Sequence, residues 1–174
     1  MKKKPEPSLR VRAMQCLARR EYSRAELRAK LLPYLRRDET SEEGAFDDAA
    51  FDSAPADSAS GEDLDALLDD LTRRGWLSDE RAATQLLHAK RGRYGTQRIT
   101  HELRQRGIDE TLIAGALPEL KETELATARE VWRKKFGSLP QDQKEKAKQM
   151  RFMQSRGFGF EVIARVLRQE EAPD

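Results

Sequence analysis

Glycines divide the middle of the chain into short segments, and this punctuation limits the possible folds more than any other feature. Gly75, Gly95 and Gly107 separate two polar segments whose apolar residues follow helical spacing. A glycine just past a helix end adopts the left-handed conformation that stops the helix. Ser78 stands where an N-cap hydroxyl would accept a bond from a free backbone amide. The stretch 73–109 is therefore expected to form two helices joined by a tight turn.

Helical spacing recurs along the rest of the chain, and no segment alternates with the period of two that is typical of a strand. Ser8 is a plausible cap for the first helix. Ser23 and Glu26 form a Ser-x-x-Glu capping box, in which each side chain bonds the other residue's free amide. An all-α protein without a sheet is predicted. Its nine helices are expected over about 8–20, 23–37, 64–75, 79–91, 96–106, 109–117, 121–136, 142–156 and 159–169.

Composition indicates a small core. Of the 174 residues, 37% are apolar and 37% are charged, whereas an average globular domain has about 45–50% and about 25%. An elongated helical protein fits this balance better than one compact sphere. The single cysteine, Cys16, excludes an internal disulfide and a cysteine-based zinc site, and we expect a buried thiol there.

Targeting features are absent from the sequence. No apolar run reaches the length of a transmembrane helix. The basic start, 1–4, is followed by Pro5 and not by the apolar stretch of a secretory signal. These features predict a cytoplasmic protein with no membrane partner, and we expect it to be a monomer.

Charge is distributed unevenly along the chain. Between residues 38 and 72 there are 13 acidic residues and no Lys or Arg, which leaves 33 basic and 18 acidic residues elsewhere. Residues 38–62 contain few large apolar side chains and are predicted to form an acidic flexible insertion. It is either a solvated linker without a role, or a mask for the basic surface that mimics a polyanion. Residues 1–7 are predicted to be a disordered basic tail.

Two sequence patterns repeat. The pattern that begins Tyr22-Ser23 recurs at Tyr94-Gly95, 72 residues later, and the Arg106-Gly107 pattern recurs at Arg156-Gly157, 50 residues later. The nine helices are therefore predicted to group into three tandem three-helix repeats of an elongated protein. The predicted repeats cover 8–74 (with the acidic insertion), 79–118 and 121–170.

No catalytic arrangement is evident. The only histidines, His88 and His101, have no motif around them. The sequence lacks a phosphate-binding Gly-rich loop and a dinucleotide fingerprint. The acidic run lies in a predicted flexible segment, whereas metal catalysis needs fixed geometry. We predict no enzyme activity, no metal and no cofactor.

Basic residues surround a tyrosine in two of the predicted repeats, and arginine forks suit phosphates and carboxylates. The arginines either bind an acidic partner or only solvate the helices. Tyr22 and Tyr94 either stack on a partner or pack within the repeats, and we favour packing for both. Helix-turn-helix DNA binders also have basic three-helix units, but no segment here marks a recognition helix. The predicted binding surface comprises Arg19, Arg20, Arg24, Arg28, Lys90, Arg91, Arg93, Tyr94, Arg98, Arg104 and Arg106.

Three segments together resemble the RecX family of bacterial regulators. They are residues 19–27, residues 74–81, and Tyr94-Gly95-x-x-Arg98-Ile99. The resemblance covers nearly the whole chain outside 1–7 and 38–62. The sequence departs from the family pattern in the length of its acidic insertion and at Ala82, where the family usually has an aromatic residue.

The resemblance implies three tandem three-helix repeats and a non-enzymatic regulator of recombination, DNA repair and the SOS response. It implies binding to RecA and to the groove of the RecA–DNA filament, with suppression of ATP hydrolysis, strand exchange and co-protease activity. It also implies weak direct affinity for single- or double-stranded DNA. A curved row of helical units would follow the groove and restrict motion between RecA subunits.

Two alternative functions are also consistent with the sequence. A sequence-independent DNA-binding protein without a filament partner would lose affinity steeply as salt rises. A plain interaction scaffold would bind neither DNA nor filament.

Overall fold

A computed structural model of the chain describes residues 7–39 and 61–168, and all regular structure within these residues is helical. This confirms the predicted all-α class. The two ends of the predicted insertion 38–62 belong to helices, and its remaining residues lie outside the described part, as does nearly all of the predicted tail 1–7. The helices are α1 (Leu9–Leu17), α2 (Arg24–Glu39), α3 (Gly61–Arg73), α4 (Asp79–Lys90), α5 (Thr96–Gln105), α6 (Glu110–Lys135), α7 (Gln143–Ser155) and α8 (Phe160–Arg168).

Local capping signals are realised at the first two helices. The Ser8 hydroxyl accepts a bond from the Val11 amide at the start of α1. At the start of α2, the Glu26 amide donates to Ser23 Oγ at 3.1 Å, and the Ser23 amide donates to the Glu26 carboxylate at 3.3 Å. The capping box predicted from Ser-x-x-Glu is therefore confirmed, and Ser23 is fully buried within it.

The helices predicted at 109–117 and 121–136 are a single helix, so the prediction of a break after Pro118 is wrong. α6 runs through Pro118 for 26 residues. A proline inside a helix removes one backbone hydrogen bond and costs about 3 kcal/mol. Burial of Ile113 and Leu120 before and after Pro118, and of Leu125 and Trp132 further along, stabilises the continuous helix enough to offset that cost.

The chain forms two compact units, residues 1–79 and residues 80–174. In the first unit, α1, α2 and α3 enclose one core, which includes the fully buried Leu27, Leu31 and Leu68. Cys16 packs against this core but is only half-buried, so the prediction of a buried thiol holds only in part. None of the described helices combines the length and the apolar character needed to cross a bilayer.

The second unit contains two cores that share α6. One lies between α4, α5 and the first half of α6, and includes the buried Ala82. The other lies between the second half of α6, α7 and α8, and includes Trp132, Met153 and Phe158. The small side chain of Ala82 is 1% exposed, so α4 packs closely against its neighbours at this position.

A close backbone contact joins the start of α5 to the turn between α7 and α8. The Gly95 amide donates to the Arg156 carbonyl at 2.9 Å, and the Gln97 amide donates to the Gly157 carbonyl at 3.2 Å. Gly157 has φ +84°, the left-handed conformation that glycine adopts without steric cost. A Cβ on Gly157 would lie 2.6 Å from the backbone nitrogen of Arg98, so only glycine fits. This contact sets the distance between α5 and Arg156.

Candidate functional site

The second unit presents a group of cations around one aromatic ring, which we call the Tyr94 cluster: Lys90, Tyr94, Arg98 and Arg156. Tyr94 is half-buried in the turn after α4, where its amide donates to the Lys90 carbonyl at 3.1 Å. Lys90 Nζ lies 5.0 Å from the ring centroid, and the guanidinium carbons of Arg98 and Arg156 lie 4.8 and 5.3 Å from it. All three distances are within the range of cation–π attraction.

Arg156 is held between two aromatic rings. Its guanidinium carbon lies 5.3 Å from the Tyr94 ring centroid and 5.2 Å from that of Phe152. Within residues 7–39 and 61–168, no carboxylate pairs with this guanidinium. Stacking limits the freedom of the side chain and leaves its N–H donors available to an acceptor.

Arg156 was missed among the predicted site residues, although the sequence carried a signal for it. Arg106 occupies the equivalent position in the repeated Arg-Gly pattern and pairs with Glu102, four residues earlier, at 3.2 Å. Phe152 stands four residues before Arg156. Where Glu102 neutralises Arg106 in one pattern, Phe152 stacks with Arg156 in the other.

Most other predicted cations of the second unit bond to acids of the same unit. Lys90 also lies 3.4 Å from Glu102, Arg91 pairs with Glu119, and Arg104 pairs with Glu110. The hydrogen bond from Arg104 lowers the pKa of the Glu110 carboxyl, because the guanidinium favours the charged form of the acid. Arg98 donates instead to the Ser155 carbonyl at 2.9 Å, and Arg93 is exposed.

The predicted arginines of the first unit are also engaged with acids. Arg20 pairs with Glu26 at 3.0 Å, Arg24 with Asp69 at 2.7 Å, and Arg28 with Asp65 at 3.0 Å. Arg19 is exposed. A binding role for the three paired arginines requires that a partner's acid or phosphate replace an internal carboxylate.

The two tyrosines differ in exposure. Tyr22 is 7% exposed and belongs to the core of the first unit, with the Arg20 guanidinium 3.8 Å from its ring centroid. Tyr94 is only partly buried against its own core. The prediction that the tyrosines pack within the repeats is therefore met by Tyr22, which belongs to a core. Tyr94 packs only partly against its core, and its ring also contacts the three cations of the Tyr94 cluster.

We expect the Arg28–Asp65 pair to make the stability of the first unit depend on pH. Hydrogen bonding from Arg28 lowers the pKa of the Asp65 carboxyl. A lowered pKa in the folded state stabilises the fold above the unfolded pKa, which is about 3.9, and this contribution is lost as pH falls below it. Asp65→Asn should therefore lower the thermal midpoint at pH 7, and the difference from the natural chain should shrink near pH 3.

Thermal unfolding followed by circular dichroism from pH 7 to pH 3 measures this difference. Glu122→Gln, at an exposed position of the second unit, is the matched control. An Asp65→Asn difference that stays constant across this pH range would show that the pair does not contribute through its charge.

Models of two RecX domains match the second unit. The second three-helix domain of RecX matches residues 78–117, and the third matches residues 122–167. The "Regulatory protein RecX" of Chromobacterium violaceum is 42% identical over 160 residues, which cover 92% of this chain and 89% of the relative. The chain belongs to the RecX family. The resemblance seen in residues 19–27, 74–81 and 94–99 is thereby confirmed.

Further RecX relatives agree in sequence and in fold. The "Regulatory protein RecX" of Leptothrix cholodnii is 40% identical over 165 residues, with 95% of this chain and 90% of the relative covered. The crystal structure of RecX from Lactobacillus salivarius matches with a TM-score of 0.63 at 12% identity, over 92% of this chain and 93% of that chain. At that identity the likeness concerns the fold alone. The two domain matches leave a gap at 118–121, which lies within α6.

Proposed function

We propose that this chain regulates the RecA recombinase without catalysis of its own. It binds RecA and the groove of the RecA–DNA filament in the cytoplasm, as a monomer, and inhibits ATP hydrolysis, strand exchange and co-protease activity. One observation carries this proposal: relatives named regulatory protein RecX align with nearly the whole chain. In this proposal, the chain also affects DNA repair and the SOS response through its action on RecA.

The Tyr94 cluster supports a role in recognition. An arginine already held by two rings loses little side-chain freedom on binding, so more of its interaction energy remains as affinity. Its guanidinium, which pairs with no carboxylate of the described residues, suits a partner carboxylate or a DNA phosphate equally well. The predicted surface residues of both units remain our candidates for contact with the filament, and we place Arg156 among them.

Inhibition acts through restricted motion between RecA subunits in this proposal. A helical protein seated in the filament groove contacts neighbouring subunits at the same time. ATP turnover at subunit interfaces depends on their relative motion, so a bridging protein slows turnover without entering the nucleotide site.

The test is DNA-dependent ATP hydrolysis by the cognate RecA on single-stranded DNA, titrated with this protein. Amounts well below those that coat the DNA should inhibit, because each bound molecule acts on several subunits of a filament. Inhibition that begins only near DNA saturation would favour the alternative, a sequence-independent DNA-binding protein, whose effect would also fall steeply with salt.

Removal of two cations from the Tyr94 cluster is expected to weaken inhibition. In the Lys90→Ala/Arg98→Ala variant, the amount needed for half-inhibition should rise at least about tenfold, since the loss of even one hydrogen bond to a charged group costs roughly 1.5 kcal/mol. Glu102 keeps Arg106 as a partner in this variant, so no carboxylate of the pair is left alone. The measurement is the same ATPase titration, with circular dichroism to verify helicity.

The matched control for this variant is Lys121→Ala/Arg151→Ala, which removes the same charge from exposed positions of the second unit outside the cluster. It should inhibit as the natural chain does. Equal inhibition by the two variants would exclude the Tyr94 cluster from filament contact.

A further inference from the structure

A basic cleft opens in the second unit beside the Tyr94 cluster. Its volume is about 450 Å³, and its sides are formed by the turn after α4, the end of α6 and the end of α7. We call it the Arg93 cleft. It is lined by Gly92, Arg93, Val131, Lys134, Lys135, Phe152 and Arg156.

Four of the seven lining residues are cations, and none of the seven is an acid. Lys134 has one distant carboxylate neighbour, Glu130 at 4.0 Å. Among the described residues, no carboxylate pairs with Arg93, Lys135 or Arg156. The positive charge of the cleft is therefore left uncompensated by the described residues of the unit, whereas the surrounding arginines are mostly paired with acids.

Phe152 orders the cations of the cleft. Arg156 lies 5.2 Å and Lys135 Nζ lies 5.8 Å from its ring centroid, and Phe136 meets the same ring edge-on at 5.3 Å. The Phe152 ring is therefore held in place by Phe136, and it positions Lys135 and Arg156, which both line the cleft. Such preorganisation lowers the entropic cost of binding an anion.

The chemistry of the lining selects the kind of anion. Arg and Lys side chains are hydrogen-bond donors only. The phosphates of a nucleic-acid strand offer acceptors only, whereas a polypeptide also brings backbone N–H donors, for which none of the seven lining side chains is an acceptor. Val131 and Phe152 supply apolar contacts that suit a sugar between two phosphates.

We propose that the Arg93 cleft binds the sugar–phosphate backbone of a single nucleic-acid strand, independently of base sequence. Arg93, Lys134, Lys135 and Arg156 contact phosphates, and Tyr94 and Phe152 position Arg156. The inference goes beyond the proposed function, because binding of a nucleic-acid strand by this chain alone does not require RecA.

The test is binding of the full chain to a fluorescein-labelled oligothymidine, followed by fluorescence anisotropy at several salt concentrations without RecA. In Arg93→Ala/Lys134→Ala/Lys135→Ala, affinity should fall at least tenfold at about 0.1 M salt. The slope of log affinity against log salt should become shallower by about two, because each phosphate contact contributes about 0.7 for a single strand.

A control variant with the same charge loss is Lys121→Ala/Lys146→Ala/Arg151→Ala, whose residues are exposed and do not line the cleft. It should bind within about threefold of the natural chain. Equal losses in the two triple variants would overturn the proposal, since they would show attraction to net charge alone. Absence of oligothymidine binding by the natural chain would overturn it as well.

A second variant tests the cleft with substitutions at exposed positions only, so that a loss of binding cannot be attributed to misfolding. Lys134 and Lys135 are exposed, so Lys134→Glu/Lys135→Glu cancels the positive charge of the cleft, by leaving two cations and two acids, without disturbing the core, and it should abolish binding. Labelled polyglutamate distinguishes the ligand class. Loss of polyglutamate binding with retained oligothymidine binding would overturn the proposal in favour of an acidic polypeptide.

The ATPase titration separates this proposal from the proposed function. A cleft variant that loses oligothymidine binding but still inhibits RecA would support the cleft and leave the regulator function in place. A cleft variant that binds oligothymidine normally but no longer inhibits would overturn the cleft as a nucleic-acid site, while the regulator function would stand.

Discussion

Replacement of Gly157 by alanine is expected to lower the free energy of unfolding of the second unit by about 3 kcal/mol. Two costs contribute. The residue has φ +84°, where a Cβ meets its own backbone, and the new methyl group would also overlap the backbone of Arg98. The neighbouring atoms are main-chain atoms at the start of α5, so they cannot rotate away as a flexible side chain would.

Gly95→Ala is expected to have a comparable effect from the opposite side of the same contact. Its Cβ would lie 2.5 Å from the Phe158 amide nitrogen, although Gly95 itself has an ordinary φ of −77°. Comparison of the two variants separates the cost of overlap from that of the left-handed conformation.

Gly115 provides the matched control for both substitutions. It lies inside α6, and a Cβ there would meet no other group within 4 Å. Gly115→Ala should therefore stabilise the unit by up to about 1 kcal/mol, because alanine favours a helix interior over glycine.

Urea unfolding followed by tryptophan fluorescence measures these effects. The chain has two tryptophans, so in a Trp76→Phe background Trp132 alone reports on the second unit. A Gly157→Ala variant as stable as the Gly115→Ala variant would show that α5 and the turn before α8 are not held in close contact.

Trp132→Ala is the second substitution with a large expected effect, about 4 kcal/mol of unfolding free energy. Trp132 is 8% exposed in the core formed with α7 and α8. Its Nε1 donates to Gln149 Oε1 at 2.7 Å, and Gln149 Nε2 donates to the Ser138 carbonyl at 3.2 Å. Alanine would leave a cavity and would also leave the buried Gln149 oxygen without its donor.

Trp132→Phe isolates the hydrogen bond from the packing. It keeps an aromatic ring in the core and removes only the N–H donor and part of the volume, so we expect a loss of about 1–2 kcal/mol. Combined with Gln149→Ala, the two losses should not add, because both variants break the same bond. Urea unfolding followed by circular dichroism measures the cycle, and additive losses would show that the bond does not stabilise the fold.

The sequence predicted local features well because their causes lie within one or two helical turns. The Ser23–Glu26 capping box needs only residues three apart, and the apolar spacing of 64–71 needs only eight residues. Pro118 was misread for the same reason. The local cost of a proline is visible in the sequence, whereas burial of α6 on both sides of it depends on two cores built from distant helices.

The candidate site was predictable in composition and not in arrangement. The sequence showed that basic residues surround Tyr22 and Tyr94 in two of the predicted repeats. It did not show that Arg28 is bonded to Asp65, or that Arg156 lies beside Tyr94 from 62 residues further along the chain. An arginine's capacity to bind a partner depends on what already neutralises it, and neutralising groups come from anywhere in the fold.

The sequence by itself determined the all-α class, most helix ends and membership of the RecX family, because helical period, caps and family motifs are properties of neighbouring residues. The tertiary structure alone decided which cations are paired and which remain open. It placed Arg156 between Tyr94 and Phe152 and gathered Arg93, Lys134 and Lys135 around one cleft. Electrostatic pairing follows distances in space, and these are set only when the helices pack.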